Sequence, residues 1–501
     1  MPHRRSTRHR LTALAAVLPV AGLAVGCSTT SGGDGDAADF TVASPYAVQS
    51  LDPYGSAGAA IGTQLADQAV FNRLVKADAS GRLGPDLAES WAPDTDATTW
   101  TFTLRQGVKF SDGSAFDAED VAASFKRFTD GENPNAGSFV GVTATANADG
   151  TVAFDSPTPD PALPGKLTLF FVTASETPAE FPAKPVGTGP FTVADFTPGE
   201  VLEMTPNASY FDGAPKLQKL VFRQIPEISS RMTALANNEI QATWGVPDDQ
   251  LAGLRGNADV KVETVASTSV YTMWFNSGRE SLADAEVRKA LWQAVDFGTI
   301  ISSLYPQTGQ LSDSVLAPPV FGHSTQTPVA YDPDAAKKAL EEAGFDFSKT
   351  LQLQFSGAEY RQFIEAVAAD LAKVGVKAEP TEKEAAVFLE DLLAMKWDIN
   401  FQSLSTPSFD AATNLGRLYP CSAERTGFCD TDLDRVLAEA GSTADATQRQ
   451  ELYAQASTII WDQAVGMYPM QVKIAYTWRS NVEGLAASPT YLPDFSKVSL
   501  S

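Results

Sequence analysis

Cysteine and histidine are nearly missing, at three each in 501 residues. Two of the histidines, His3 and His9, fall at the extreme N-terminus, so His323 alone is left for the body, and a metal centre built on imidazole and thiol is improbable there. Basic residues are also scarce: Lys and Arg number 37 against 61 Asp and Glu, a net charge of −24. That balance argues against a nucleic-acid partner, because phosphate binding needs clustered positive charge, and against lying flat on an anionic bilayer. No GxSxG elbow, P-loop, HExxH helix or internal repeat is found. The one GxG element, Gly187-Thr188-Gly189, runs into Pro190, which has no N–H to offer a phosphate, and it reads as a turn. Acids are too numerous for a catalytic carboxylate pair to stand out. The apolar run Leu11–Val25 is shorter, and richer in Ala and Gly, than a permanent span of ~20 residues.

What is present begins with that run. Arg4, Arg5, Arg8 and Arg10 precede it with no acid among them, the layout of an export signal. It ends Ala24-Val25-Gly26-Cys27, which resembles a bacterial lipobox, so residues 1–26 are expected to be removed and Cys27 to carry lipid. Residues 27–39, rich in Gly, Ser and Asp, read as a flexible tether. The body from Phe40 onward is too long for one core, since single cores stop growing at around 250 to 300 residues. Two cysteines remain in it, Cys421 and Cys429, and in an oxidising compartment the simplest reading is one small-loop disulfide.

Patterning along the body is mixed. Trp100 to Arg105 alternates as a half-buried strand. Asp117 caps a helix on which Phe116 and Val121 form a staple and Val121, Ser124, Phe125 and Phe128 share a face. Lys219–Phe222 reads as a strand. Three further helices follow: one from Glu286 to Ser303, one opened by Asp332-Pro333 and closed by Gly344, and one carrying Phe363, Ile364, Val367 and Leu371 that ends at Gly375 before a short strand at Val376–Glu379. Helices alternating with strands over two core-sized stretches predict α/β lobes.

Several ordered segments carry a resemblance: Leu51-Asp52-Pro53, Leu87-Ala88-Glu89-Ser90-Trp91, Val108-Lys109-Phe110-Ser111-Asp112-Gly113, Phe116-Asp117-Ala118-Glu119-Asp120-Val121, Gly187-Thr188-Gly189-Pro190-Phe191, Val287-Arg288-Lys289-Ala290-Leu291 and Tyr331-Asp332-Pro333. Together they resemble the bacterial extracellular solute-binding proteins, family 5, which include dipeptide-, oligopeptide- and nickel-binding proteins. The resemblance implies a two-lobed α/β fold of the periplasmic-binding-protein type II class, with a strand hinge and an extra inserted subdomain. One lobe is expected to be discontinuous (40–58, 185–265 and 485–501), with residues 59–184 inserted, and the other to span 266–484. The implied function is non-enzymatic: capture of a peptide or peptide-like solute between the lobes of a monomer. The ligand then passes to ABC permease subunits, with no cofactor and with membrane attachment through the lipid on Cys27 alone. A secreted hydrolase, or a ligand-sensing receptor on the same fold, is the alternative.

At the site the resemblance is less comfortable. Dipeptide-binding members hold the ligand's ammonium with an Asp in a Trp-Thr-Gly-Asp segment, where this chain has Leu404-Ser405-Thr406-Pro407. The Arg that grips the carboxylate falls near Gln354, with Arg361 nearby in sequence, and a cleft Trp falls at Ala385. Burying a charged terminus without its partner is costly, so a longer, blocked or modified peptide is expected. Backbone contacts are expected from Ala59, Ala60 and Ile61 and from Ser403, Leu404, Ser405 and Thr406, and Tyr271 and Trp274 are candidate cleft walls. Asn276 either contacts ligand or ties the hinge, and Asp410 either holds a displaced cation or caps the helix that follows.

Overall fold

The computed structural model describes residues 39–176 and 180–501; the expected export signal and Cys27 lie outside them. β1 (Phe40–Ser44) opens the body and α1 (Ile61–Val70) follows. β2 (Val75–Ala77) and β3 (Leu83–Pro85) form a hairpin. β4 (Ala88–Pro93) and β5 (Thr99–Leu104) join β6 (Thr143–Ala146) and β7 (Thr151–Asp155) in a small antiparallel sheet, against which α2 (Ala118–Asp130) packs. The start of α2 is built as its sequence implies. Asp117 accepts from the N–H groups of Glu119 and Asp120, and Asp120 accepts from the N–H of Asp117. Val121, Ser124, Phe125 and Phe128 are its buried face. Burying the three apolar members, at about 2 kcal/mol each, outweighs the ~1 kcal/mol of the cap, so the cap sets where the helix starts and packing sets that it forms.

After α3 (Leu163–Lys166) the chain turns at Gly187-Thr188-Gly189. A Cβ on Gly189 would lie 2.6 Å from the Val70 carbonyl oxygen, so these glycines serve a close backbone approach. β8 (Phe191–Thr197), β9 (Val201–Pro206), β10 (Leu220–Gln224), α4 (Ile228–Ala236), β11 (Ala242–Trp244) and α5 (Asp248–Arg255) complete the first part. The second part begins with β12 (Val260–Phe275) and continues through α6 (Ala285–Gln293), α7 (Phe297–Leu304), β13 (Gly309–Leu311), α8 (Pro333–Glu342), β14 (Thr350–Phe355) and α9 (Arg361–Lys373). β15 (Lys377–Glu382), α10 (Ala385–Leu393), β16 (Ile399–Ser405), α11 (Leu415–Leu418), α12 (Thr431–Ser442), α13 (Ala446–Asp462) and β17 (Gly466–Arg479) follow. The single helix expected over Glu286–Ser303 is two. Asp296 accepts from the N–H and hydroxyl of Thr299 and starts α7 afresh, so a new cap interrupts a stripe whose Val287, Leu291, Ala294 and Val295 are buried all the same.

One sheet joins both parts, in the order β15-β14-β16-β12-β17-β11-β1-β10-β9-β8, with β13 beside β17. β12 and β17 are its long members. They pair from Val260/Arg479 to Ala266/Lys473, shift register, and pair again from Val270/Gln471 to Trp274/Gly466. On one side of the shift β17 also pairs with β11, and on the other β12 also pairs with β16. The shift therefore divides the sheet into two lobes. Three large apolar clusters match this plan: one around Phe40, Leu202, Trp244 and Tyr476, one around Phe102, Phe125 and Phe154 on the small sheet, and one around Trp292, Phe363, Trp397 and Tyr468. Cys421 and Cys429 are bonded to one another.

Arg288 of α6 is 1% exposed and makes no ion pair among the described residues. Its guanidinium donates to the carbonyls of Ala464, Leu282, Ala283 and Gln463 at 3.0, 2.8, 2.7 and 2.7 Å, tying α6 to the end of α13. Arg288→Met would leave four carbonyls dry, a loss of roughly 3 kcal/mol or more at ~1 kcal/mol per bond. Urea unfolding should show it, and a change below ~1 kcal/mol would contradict this account.

Candidate functional site

Both lobes aim the carboxyl ends of their parallel strands at the register shift. β1, β10 and β11 run together, and β11 advances from Ala242 opposite Trp478 to Trp244 opposite Tyr476, toward the shift. In the other lobe β14, β15 and β16 are parallel, and β16 ends with Ser405 opposite Ser269, also at the shift. The loops after these strands therefore face one another, which is where open α/β sheets place ligands.

A cavity of about 460 Å³ lies there, lined by Gln68, Arg73, Lys76, Tyr210 and Thr490 on the first-lobe side and by Pro407 and Phe409 on the second. Arg73 lies over the Phe171 ring at 4.1 Å and donates to Gln68 at 3.2 Å. Burial lowers its pKa to about 10, against the opposing pull of Asp86, Asp67 and Asp494. Asp67 on α1 is fully buried with no hydrogen-bond partner for either oxygen among the described residues. Burial, reinforced by Asp52, holds its pKa well above the usual carboxylate range, which favours the neutral acid.

The lobes touch through backbone. A Cβ on Gly165 would sit 2.6 Å from the Ser408 carbonyl oxygen, and one on Gly81, at the tip of the β2–β3 hairpin, would overlap Pro319. Beside the hinge, Asp248 of α5 accepts from the N–H groups of Gln307 and Thr308 at 2.5 and 3.3 Å and from the Thr308 hydroxyl.

Each lobe also carries a tyrosine group. Tyr46 follows β1 and meets Tyr491 edge-on at 6.0 Å. Tyr271 on β12 meets Tyr305 and Tyr360 edge-on at 5.9 and 5.7 Å. Burial raises the pKa of all five, that of Tyr360 to about 12. Tyr46 and Tyr360 each add to the rise at Tyr491, so phenols of the two lobes lie within electrostatic reach of one another.

The residues singled out from sequence are distributed unevenly. Ala60 is the N-cap of α1 and is exposed, flanked by half-buried Ala59 and Ile61. Ser403, Leu404 and Ser405 form the end of β16, and Thr406 donates to the Thr268 carbonyl at 3.0 Å. Tyr271 belongs to the interlobe tyrosine group. Trp274 does not line the gap: it is 1% exposed and donates to the Tyr419 hydroxyl at 3.0 Å inside the second-lobe core. Asn276 is equally enclosed, donating to the carbonyls of Met395 and Trp397 within the second lobe. Arg361 is paired with Glu382, and Gln354 is a buried amide. Asp410 has no oxygen to spare for a ligand cation. It accepts from Arg449 at 2.7 and 2.5 Å and from the N–H of Ala412, which it caps, at 2.9 Å. Sequence reading passed over Tyr46, Tyr305, Tyr360, Tyr491 and Arg449, which no motif or spacing marks.

A model of the bacterial extracellular solute-binding proteins, family 5, matches residues 82–425. The chain belongs to that family. Among curated relatives, the dipeptide-binding protein of Escherichia coli K12 is 26% identical over 86% of this chain and 89% of its own length. The nickel-binding periplasmic protein of the same organism is 27% identical over 85% and 88%. The structure of HbpA2 from Haemophilus parasuis superposes with a TM-score of 0.83, at 22% identity, covering 93% of this chain and all of that one. The fold is thus the two-lobed periplasmic-binding-protein type II fold, and family 5 proteins are solute-binding proteins, not enzymes.

In this family 5 protein the second-lobe cavity wall hangs on one ion pair. Phe409 has φ +58, a left-handed conformation that costs a non-glycine residue ~1 kcal/mol or more. It is clamped by Phe321, which donates to its carbonyl at 2.8 Å, and by the pair of Asp410 with Arg449, whose side chains are 9% and 5% exposed. Arg449→Met would strand a buried carboxylate, at a cost of roughly 3–5 kcal/mol. Thermal and urea unfolding should both register it, whereas a wild-type melting curve would mean that the pair does not hold the wall.

Proposed function

We propose that this protein is the extracytoplasmic substrate-binding lipoprotein of an ABC importer, anchored through lipid on Cys27, acting as a monomer and handing peptides to its permease subunits. Dipeptide binding by the Escherichia coli relative, named for it, supports the solute class. The observation that carries the reading is the one-sided pairing of β16. β14 accompanies it only at Ile399 and Asn400, while β12 continues to Ser405. The bonds of Asn276 to the Asp398 carbonyl and of Thr406 to the Thr268 carbonyl fix which groups point toward β12. By the antiparallel alternation, the backbone groups of Ser403 and Ser405 point the other way. Asn414 takes the Ser405 carbonyl at 3.0 Å, which leaves the Ser403 edge for a ligand backbone, the mode of strand addition.

The neighbouring cavity, about 460 Å³, falls in the range of small-molecule sites. Pro407 stands in its wall and Asp410 is committed to Arg449, so neither offers a partner for a terminal ammonium. The site accordingly suits peptides longer than two residues, or blocked or modified ones.

Calorimetry with a panel of free dipeptides, tripeptides, tetrapeptides and N-acetylated peptide amides tests this reading. Longer or blocked members should bind at least about tenfold tighter than free dipeptides and be recovered intact. Tighter binding of dipeptides, or cleavage of the ligand, would sink it. Gly165→Ala should weaken the tightest ligand about tenfold and abolish its compaction of the protein in small-angle scattering, because the added methyl meets the Ser408 carbonyl only when the lobes close. The urea midpoint should not move, and Gly137→Ala, with nothing within 4 Å of its Cβ, should leave binding and compaction alone. Equal compaction in Gly165→Ala would show that this contact does not limit closure.

A further inference from the structure

We propose that the tyrosine group between the lobes, with Glu359 at its rim, is a subsite for an organic cation, an ammonium or guanidinium group carried by the ligand. The inference rests on the reading of the interlobe gap as the ligand site and adds a chemical class to it.

Four half-buried tyrosines form the walls, Tyr46 and Tyr491 from one lobe and Tyr305 and Tyr360 from the other, with Tyr271 buried behind them. Aromatic faces carry negative electrostatic potential and attract cations within about 6 Å of the ring centre. Phenol oxygens that stay neutral add acceptors, so the group is rich in acceptors and holds no fixed positive charge of its own.

Glu359 supplies the counter-charge. It precedes Tyr360 in the loop after β14, and it is exposed. Both its oxygens fold back over Gly357, to 2.8 Å from where a Cβ would stand, in a loop that Gly357 enters at φ +108. The carboxylate adds to the pKa rise of Tyr46 in the first lobe and of Tyr305 and Tyr360 in the second, which places it within electrostatic reach of both walls.

Among the described residues Glu359 makes no ion pair. Two cations of its surroundings are engaged elsewhere. Arg231, which faces Tyr46, donates to the carbonyls of Ile225 and Pro226 at 2.8 and 2.6 Å, and Arg361 is bound to Glu382. An unpaired carboxylate at the mouth of an aromatic, acceptor-lined gap discriminates by charge. A cation exchanges water for phenol oxygens and ring faces and gains the carboxylate, whereas an anion meets that carboxylate's repulsion.

The test uses the full mature chain and paired probes that differ only in charge: N-acetylated tetrapeptide amides containing Lys or Arg against their norleucine isosteres, together with agmatine and tetramethylammonium. Calorimetry should show the cationic peptides binding at least about tenfold tighter. Glu359→Gln should reduce that preference to about twofold or less, and Glu365→Gln, an exposed acid further along α9, should leave it unchanged. Equal affinity for the isosteres, or a preference that survives Glu359→Gln, would overturn the subsite while leaving the peptide reading in place. Should no peptide bind, yet agmatine and tetramethylammonium raise the melting temperature in wild type and not in Glu359→Gln, the cation subsite stands and the peptide reading falls. Failure of every probe to bind overturns the subsite.

Discussion

Two strands carry the mechanical logic of this molecule. β12 and β17 hydrogen-bond to each other for most of their length. Away from the register shift at Ala266 and Val270, β17 also pairs with β11 on the first-lobe side, and on the second-lobe side β12 pairs with β16 and β17 with β13. Every other element can be assigned to one side. Because the backbone groups of both strands are satisfied on either side of the shift, the irregular stretch is the place where the ladder can bend at least cost. Bending there moves whole lobes whose cores are separately closed, and leaves each core's packing untouched. Asn276, with its amide given to Met395 and Trp397, stiffens the end of β12 just past that stretch.

The same constraint bears on the interface, where backbone contacts and phenols stand beside one polar bridge near the hinge, Asp248 with Gln307 and Thr308. Surfaces that separate must be tolerable in water when apart and complementary when together, which disfavours large apolar patches. Glycines against carbonyls, as at Gly165 with Ser408, meet the second condition with no side chain to bury or expose. Tyrosine meets both, since the ring packs and the hydroxyl stays solvated. Charged partners that must not be broken are kept inside one lobe instead: Arg288 with four carbonyls, and Asp410 with Arg449.

What could be read from the sequence follows from how local the cause is. The α2 start was legible because Asp117, Phe116 and Val121 act within one turn, and so were the α8 cap at Asp332 and the turn at Gly187. The disulfide pairing needed only compartment and spacing. The helix over Glu286–Ser303 was misjudged because its apolar stripe outlives its hydrogen bonds, and one capping aspartate at residue 296 decides the matter. Site residues were harder for the opposite reason. Tyr46, Tyr305, Tyr360 and Tyr491 are spread across the chain and meet only through the topology of the sheet. Trp274 looked like a cleft wall because strand alternation gives its direction relative to its neighbours but not which face of the sheet is covered, and here Tyr419 covers it.

Asp410 shows how the ambiguity resolves. A carboxylate at the start of a short helix can be read as a cap or as a cation holder. The structure gives it both kinds of partner at once, the N–H of Ala412 and the guanidinium of Arg449. The cation it holds is the protein's own, and that pair keeps Phe409 in a backbone conformation it would otherwise leave. The charge of Asp410 thus goes into the shape of the wall. On the reading proposed above, discrimination among ligands falls to groups that remain uncommitted when the lobes meet: the edge of β16 at Ser403, and the carboxylate of Glu359 among the phenols.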